Sequence, residues 1–296
     1  MTRVLKSESP SKVSTAEVNE YQTPEGGSPL TADRITTLMT NLVLQTAYID
    51  GLNKPMSLLL VSIAGSGKTR ILQPLQSYKQ VAYTNDITPK FLVEFLKQVD
   101  RGEKRFLVIP DYISCLSHGR ATVATLNSIL RSMMEEGVTS LRDFGLDYTA
   151  SNGPARAGVL TAITIGRYEL FRESWKTTGF LSRFLPFSFT HTEQTQQAIL
   201  DRIVRNYRNL DLNDYTLNIN TNPQHLKEKP ELFNQLRGYS LRLSDRVGSL
   251  PYRQQIQLQA LTEASAILRG DSEIRQTDID TMVLLSSYIN YEFKAI

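Results

Sequence analysis

Residues 58–72 read LLLVSIAGSGKTRIL, an apolar run followed by a glycine-rich loop and then by the first residues of a helix. The apolar run predicts a buried parallel strand. A glycine-rich loop between a strand and a helix can turn its backbone N–H groups towards an anion, and the helix N-terminus adds the positive end of its dipole. Lys68 would then reach the β- and γ-phosphates of a nucleotide, and the Thr69 hydroxyl would bind Mg²⁺. The segment therefore predicts a binding site for ATP and Mg²⁺.

The contacts with the nucleotide are expected from consecutive residues of this loop, namely Ala64, Gly65, Ser66, Gly67, Lys68, Thr69 and Arg70. The usual form of the motif begins with glycine, and Ser62 stands at that position here. The Gly-Lys-Thr end of the motif is intact. The alternative is a chance glycine-rich loop with an exposed lysine. The strand before the loop and the helix after it favour the phosphate-binding interpretation.

The composition is that of an ordinary folded protein. With 296 residues, of which 41% are hydrophobic and 21% charged, the chain is long enough for a nucleotide-binding domain and a smaller one. No apolar run reaches the ~18 residues of a membrane span, and the first residues lack the apolar core of a signal peptide, so no membrane association is expected. The single cysteine, Cys115, favours a cytoplasmic location, and His118, His191 and His225 lack metal-binding or catalytic spacing. The net charge of +3 does not by itself indicate nucleic-acid binding.

The pattern along the chain predicts three regions. Residues 1–30 are rich in Ser, Thr, Pro and Gly and predict a flexible arm. Residues 31–192 alternate strands with helices, which predicts an α/β domain with a parallel sheet and helices on both faces. Residues 193–296 predict a smaller, all-helical domain. The expected strands are 58–61, 81–84, 105–111, 159–165 and 184–189, and the expected helices of the last region are 197–207, 232–243, 252–268 and 277–293.

Asp111 follows an apolar strand, where a carboxylate is the expected second anchor for Mg²⁺, opposite Thr69. The alternative is an ordinary turn aspartate, and the phosphate-binding loop upstream favours the metal role. The next residue is Tyr112, so no carboxylate follows Asp111 to activate water. Glu135 and Glu136, at the end of the following helix, are the candidates for that role. Acids at a helix C-terminus interact unfavourably with the helix dipole, which favours a functional use.

Three stretches resemble the MCM-like AAA+ ATPases. Residues 134–145, MEEGVTSLRDFG, are similar to the junction at which a helix leads into a β-hairpin in that family. Residues 159–164, VLTAIT, resemble the sensor-1 strand, and residues 181–184, LSRF, match the motif that carries the arginine finger. The resemblance extends over about residues 35–290. The spacing of the motifs also resembles that of ATPases from phages and integrative elements.

The resemblance implies a ring of identical subunits, expected to be a hexamer, with ATP bound between neighbours. It implies that Thr164 is the polar sensor residue and that Arg183 reaches the γ-phosphate of the neighbouring subunit's nucleotide. A guanidinium suits that role because it stays charged and its fork matches phosphate geometry. The alternative is a structural arginine bonded to backbone or to an acid. Arg269 and Arg275 are the candidates for a sensor-2 arginine, with helix-end charges as the alternative for each.

The sequence leaves the substrate open. Residues 138–158 would form the hairpin that faces the ring axis, and Arg142 and Arg156 are its candidates for contacting nucleic acid. Phe144 and Tyr148 in the same hairpin would instead suit a polypeptide. No counterpart is expected for the helix insert or for the N-terminal domain with which MCM helicases contact DNA. Three functions remain: a DNA-associated motor of a phage or mobile element, an ATP-driven protein remodelling or assembly factor, and an ATP-controlled switch that recruits a nuclease or transposase.

Overall fold

A computed structural model describes residues 32–143, 145–206, 219–222, 224–227 and 229–293 of the chain. The arm predicted for residues 1–30 lies outside the described residues. The strands are β1 (Leu58–Ser62), β2 (Val81–Tyr83), β3 (Phe106–Ile109), β4 (Ser140–Asp143), β5 (Leu146–Thr149), β6 (Gly158–Thr164) and β7 (Leu185–Ser188). The helices are α1 (Ala32–Gln45), α2 (Lys68–Leu72), α3 (Pro89–Asp100), α4 (Ile113–Leu116), α5 (Arg120–Met133), α6 (Ile165–Thr177), α7 (Glu193–Asn206), α8 (Pro230–Phe233), α9 (Arg237–Val247), α10 (Tyr252–Leu268) and α11 (Gln276–Ser286).

Five strands form one parallel sheet in the order β2-β3-β6-β1-β7. All five residues of β1 are buried, as are all four of β3. Apolar strands of this kind are typical of parallel sheets whose two faces are both covered by helices. The predicted α/β class with a parallel sheet flanked by helices is therefore confirmed. The architecture is compatible with a P-loop or Rossmann-like fold.

The elements around the glycine-rich loop follow from local sequence. The helix after the loop, α2, ends at Leu72 and continues as a 3-10 turn over Gln73–Ser77, because Pro74 cannot continue an α-helix. The next helix, α3, begins after Thr88, whose hydroxyl accepts a hydrogen bond from the Phe91 amide at 3.2 Å.

The segment predicted to form a hairpin does so, with β4 and β5 as an antiparallel pair. The chain enters the hairpin through Gly137, which has a φ of 84°. A Cβ atom there would lie 2.6 Å from the Pro154 Cβ, so only glycine fits. At the other end, the Asp100 carboxylate accepts hydrogen bonds from the amides of Ser151 and Asn152. The hairpin is therefore anchored to the end of α3.

The last part of the chain is helical, but its end differs from the expectation. The helix expected over 277–293 ends at Ser286, and the residues after it return to the edge of the sheet. Ser188 donates to the Tyr288 carbonyl at 2.9 Å, and Asn290 donates to the Pro186 carbonyl at 2.8 Å. This pairing covers the exposed edge of β7, whose backbone groups need partners. The buried side chains of the sheet and of the helical part form one continuous cluster.

The helix expected over 232–243 is also divided into α8, a 3-10 turn at Asn234–Leu236, and α9. The expected helix 252–268 matches α10. The helices α4 and α6 were not predicted. Among the described helices, none is long and apolar enough to cross a membrane.

Candidate nucleotide-binding site

The glycine-rich loop has the backbone that phosphate binding requires. Gly65 and Gly67 have φ angles of 76° and 83°, in the left-handed region that residues with a side chain rarely adopt. The Lys68 ammonium lies across the loop and donates to the carbonyls of Ser62 and Ile63 at 3.2 and 2.6 Å. Burial lowers the pKa of Lys68, and the negative charge of Asp111 acts in the opposite direction.

The residues of the loop fit a phosphate group and Mg²⁺. A Cβ atom built on Gly65 or Gly67 meets no described atom within 4 Å, so the loop needs these glycines for their backbone angles and not for space. Thr69 and Asp111 are both exposed, and their oxygens are ligands that Mg²⁺ prefers. No group of three or more His, Cys, Asp or Glu side chains among the described residues could hold a metal by itself. Mg²⁺ would therefore need phosphate oxygens as further ligands.

Ser62, which stands where the motif usually has glycine, has a structural role. It is the last residue of β1, and its buried hydroxyl donates to the Phe189 carbonyl at 2.7 Å. That bond joins the end of β1 to the chain just after β7. The exchange of glycine for serine therefore adds a contact between neighbouring strands and leaves the two essential glycines in place.

Thr164 and Asp111 lie at the same edge of the sheet as the loop. Because β6 lies between β1 and β3, Ser62 pairs with Thr164, and Ile109 pairs with Thr161. Neighbouring strands are about 4.8 Å apart, so Asp111 is about two strand spacings from the end of β1. Thr164 precedes α6, but its hydroxyl does not cap that helix. The structure therefore brings together the loop, the predicted sensor residue and the predicted metal ligand.

Tyr112 does not replace the missing carboxylate. Its side chain is buried, and its hydroxyl donates to Asn127 at 2.6 Å. The ring packs against Trp175 and Phe180. Burial raises the pKa of Tyr112 well above its ordinary value, so the hydroxyl stays protonated and cannot accept a proton from water.

Glu135 and Glu136 are far from the loop of the same chain, which corrects the role expected for them. Glu135 forms ion pairs with Lys54 and with Arg253, whose Nε lies 2.9 Å from Glu135 Oε2. Lys54 precedes β1, whereas Lys68 follows it, so the two lysines lie at opposite ends of the sheet strands. Glu136 accepts from Arg183 at the same distant edge. Neither glutamate can activate water at a nucleotide held by its own chain.

Arg183 belongs to this second cluster. One of its nitrogens, Nη1, donates to the Gly179 carbonyl at 2.6 Å, and Nη2 donates to Glu136 at 3.2 Å. Arg183 Nε is buried and has no hydrogen-bond partner among the described residues. Burial, reinforced by the charge of Arg253, lowers the pKa of Arg183, whereas Glu136 acts to raise it. The guanidinium is therefore incompletely satisfied, and it lies at the end of the strands opposite to the glycine-rich loop of its own chain.

Arg253 was missed in the sequence analysis. It donates through Nε to Glu135 and through Nη1 to the Ser182 hydroxyl, at 2.7 Å. With Arg183 and Lys54 it lines a pocket of about 240 Å³, open solvent included. Its position in the first turn of α10 was a usable signal, because a cation there opposes the helix dipole.

The remaining candidates lie elsewhere. Arg142 is exposed on β4 opposite Asp147, whereas Arg156 donates to the Glu135 carbonyl at 3.2 Å. Tyr148, a candidate for gripping polypeptide, is buried, which corrects that expectation, and Phe144 lies outside the described residues. The sensor-2 candidates pair with acids of the helical part: Arg269 with Asp271 and Asp278, and Arg275 with Asp271.

Two histidines make polar contacts that the sequence did not indicate. His191 Nε2 lies 3.0 Å from the Ser66 carbonyl oxygen in the glycine-rich loop. His118 Nε2 lies 2.9 Å from the carboxylate oxygens of Asp86, which follows β2. Both contacts join residues that are far apart along the chain, so no local pattern indicated them.

Fold and site together define an α/β protein whose glycine-rich loop, lysine and aspartate meet at the carboxyl edge of a parallel sheet. The chain matches no protein-family model, and it matches no curated protein. The inference about function therefore depends on the geometry of the site and on the motifs in the sequence.

Proposed function

We propose that this chain binds ATP with Mg²⁺ and hydrolyses it at a site that a second copy of the chain completes. The observation that carries the proposal is the division of the site residues between two edges of the sheet. Lys68, Thr164 and Asp111 lie at the carboxyl edge, where ligands bind in open α/β sheets. Arg183 and Arg253 lie at the opposite edge.

Each residue has a defined task in the proposal. The loop amides and Lys68 hold the phosphates, and Thr69 and Asp111 supply oxygen ligands to the ion. Bound Mg²⁺ neutralises phosphate charge during the transfer. The hydroxyl of Thr164 is available to orient the attacking water. No described carboxylate takes the place of the residue after Asp111, and the proposal therefore includes slow hydrolysis.

The arginines would act on a neighbouring subunit. Leu58 pairs with Leu185, so Arg183 lies before the level at which β1 begins, while the loop starts after Ser62. Four residue steps of about 3.3 Å place the loop about 13 Å farther along the strand direction. A contact that joins two different faces of identical subunits is heterologous, and it forms a ring when the rotation between neighbours closes. We therefore propose an AAA+ type ring, with a hexamer as the expected size.

DNA is the substrate that we propose for the ring. Arg142 is exposed on the hairpin and can contact phosphate. Tyr148, which would have favoured a polypeptide, is buried against the protein. The proposal is a DNA-associated motor or remodeller of a phage or mobile element, as the motif spacing implies. The switch is the second candidate. Tyr112 stands where a catalytic carboxylate would be expected and is buried, so no carboxylate activates water there, and slow turnover suits a switch.

The first test is nucleotide binding. Lys68→Ala should abolish the binding of ATP measured by calorimetry, because the loop loses the cation that balances the phosphates. Lys90→Ala, which removes an exposed lysine from α3, is the matched control and should bind as the parent does. ATP affinity of the Lys68→Ala protein equal to that of the parent would refute the proposed site.

The second test measures the ATPase rate with and without single- and double-stranded DNA over a range of salt concentrations. DNA should raise the rate, and the effect should weaken as salt increases, because phosphate contacts release counterions. Arg142→Ala should reduce the stimulation and leave the rate without DNA unchanged. Stimulation by an unfolded polypeptide instead of DNA would support the protein remodeller.

A further inference from the structure

His191 contacts the backbone of the phosphate-binding loop from the neighbouring strand. It follows β7 by three residues, and β7 pairs with β1, which leads into the loop. Its Nε2 lies 3.0 Å from the Ser66 carbonyl oxygen. A carbonyl oxygen can only accept, so Nε2 carries the hydrogen. The ring is partly buried, and its centroid lies 5.9 Å from that of Phe189, with the two rings edge to face.

The contact constrains the peptide between Ser66 and Gly67. In a trans peptide the C=O and the following N–H point in opposite directions. A Ser66 carbonyl held towards His191 therefore directs the Gly67 N–H to the other side of the loop. Gly65 and Gly67 have the backbone freedom to let this peptide rotate if nothing holds it. The loop needs such an N–H to point at the phosphate.

We propose that His191 is a positioning residue of the nucleotide site, which holds the Ser66–Gly67 peptide in the orientation that binds phosphate. The inference depends on the proposed nucleotide site and adds a residue to it from outside the motif. Only the tautomer with its hydrogen on Nε2 can act in this way. Nδ1 is buried and has no hydrogen-bond partner among the described residues, so no other group holds the ring in that tautomer.

The same residue joins the loop to the helical part of the chain. The His191 carbonyl accepts a hydrogen bond from Gln196 Nε2 at 2.9 Å, within the first turns of α7. The next residue, Thr192, caps α7 by accepting from the Thr195 amide at 3.2 Å. A change in the orientation of the Ser66 peptide therefore reaches α7 through one side chain. Binding of nucleotide should alter the protection of the α7 backbone.

Three substitutions at His191 separate the hydrogen bond from the packing. His191→Gln retains an N–H donor close to the position of Nε2, His191→Asn has a shorter side chain that does not reach it, and His191→Phe keeps the ring without a donor. The measured quantities are the dissociation constants for ADP and for a non-hydrolysable ATP analogue, determined by calorimetry. His225→Asn is the matched control, because the His225 side chain is 85% exposed.

The Phe and Asn variants should bind nucleotide about tenfold more weakly, since a carbonyl that loses its partner costs about that much. The Gln variant should recover most of the affinity, and melting temperatures without nucleotide should show that all variants are folded. Hydrogen exchange should show nucleotide-dependent protection of α7 in the parent and not in the Phe variant.

Equal affinity of the Phe variant and the parent would overturn the inference and leave the proposed function intact. Loss of affinity that the Gln variant does not recover would also overturn it, because the cause would then be packing. A parent protein that binds no nucleotide would overturn the proposed function and this inference together.

Discussion

Mixing two inactive variants tests whether Arg183 acts on a neighbouring subunit. Arg183→Ala removes the arginine and leaves the loop intact, whereas Lys68→Ala removes the loop lysine and leaves Arg183 intact. The two residues lie beyond opposite ends of β1, whose four residue steps alone span about 13 Å, longer than an arginine side chain. Arg183 therefore cannot reach a phosphate at its own loop. Each variant alone should lose on the order of 10³-fold in rate, as removal of such an arginine commonly does.

The expected recovery follows from the geometry of the ring. In a head-to-tail ring each interface combines the loop of one subunit with the arginine of the next. In an equal mixture an interface has an intact loop in about half of the cases and an intact arginine in about half, so about a quarter of the interfaces are complete. The steady-state ATPase rate of the mixture should therefore approach a quarter of the parent rate. Arg183→Lys, which keeps the charge without the fork, should fall between the parent and Arg183→Ala.

The control mixes the double variant, Lys68→Ala with Arg183→Ala, with the parent protein. Rings that contain both proteins have fewer complete interfaces than rings of the parent alone, so the ATPase rate per parent subunit should fall. Two outcomes would refute the reasoning. One is a mixture of the single variants that is no faster than the sum of its components. The other is an Arg183→Ala protein that hydrolyses ATP at the parent rate.

Three further predictions concern stability and the metal. Burial alone would raise the pKa of Glu135, but Lys54 and Arg253 lower it below its ordinary value. The ionised Glu135 therefore stabilises the folded protein fully above about pH 4.3, and this stabilisation is lost as the pH falls through the lower pKa of the folded state. Glu135→Gln should reduce the free energy of unfolding by about 1–2 kcal/mol at pH 7 and by less at pH 3.5, measured with urea. Gly158→Ala should lower the free energy of unfolding by about 1–3 kcal/mol, because the new Cβ would lie 2.5 Å from the Met56 carbonyl oxygen and from the Phe106 ring. The control is Gly166→Ala, which should not destabilise the protein because its Cβ would meet no described atom within 4 Å. EDTA should abolish ATP hydrolysis, and added Mg²⁺ should restore it.

Much of the fold was predictable because its signals are local. The five sheet strands are apolar runs, and a buried parallel strand has this pattern whatever its neighbours are. The cap at Thr88 and the early end of α2 before Pro74 also depend only on residues within one or two turns. The hairpin between Ser140 and Thr149 was expected from the family resemblance of residues 134–145 and not from a local turn pattern.

The missed elements had weak or misleading local patterns. In α6 only Tyr168 and Trp175 are buried, so the helix has no clear apolar stripe. The residues after Ser286 continue a helical apolar pattern, yet they leave the helix because the edge of β7 offers backbone partners. Glu135 and Glu136 do not lie at the loop of their own chain, because proximity to a motif along the sequence does not indicate at which end of the strands a side chain lies.

The sequence by itself determined the glycine-rich loop that we propose to bind phosphate, since eight consecutive residues between a strand and a helix contain all the groups that such a loop needs. Only the tertiary structure decided how the other residues are distributed. The insertion of β6 between β1 and β3 brings Thr164 and Asp111 to the loop, and the direction of β7 carries Arg183 to the opposite edge and His191 back to the loop. The physical reason is that charges and hydrogen bonds act over a few ångströms in space, and strand order, which sets those distances, depends on the packing of the whole sheet.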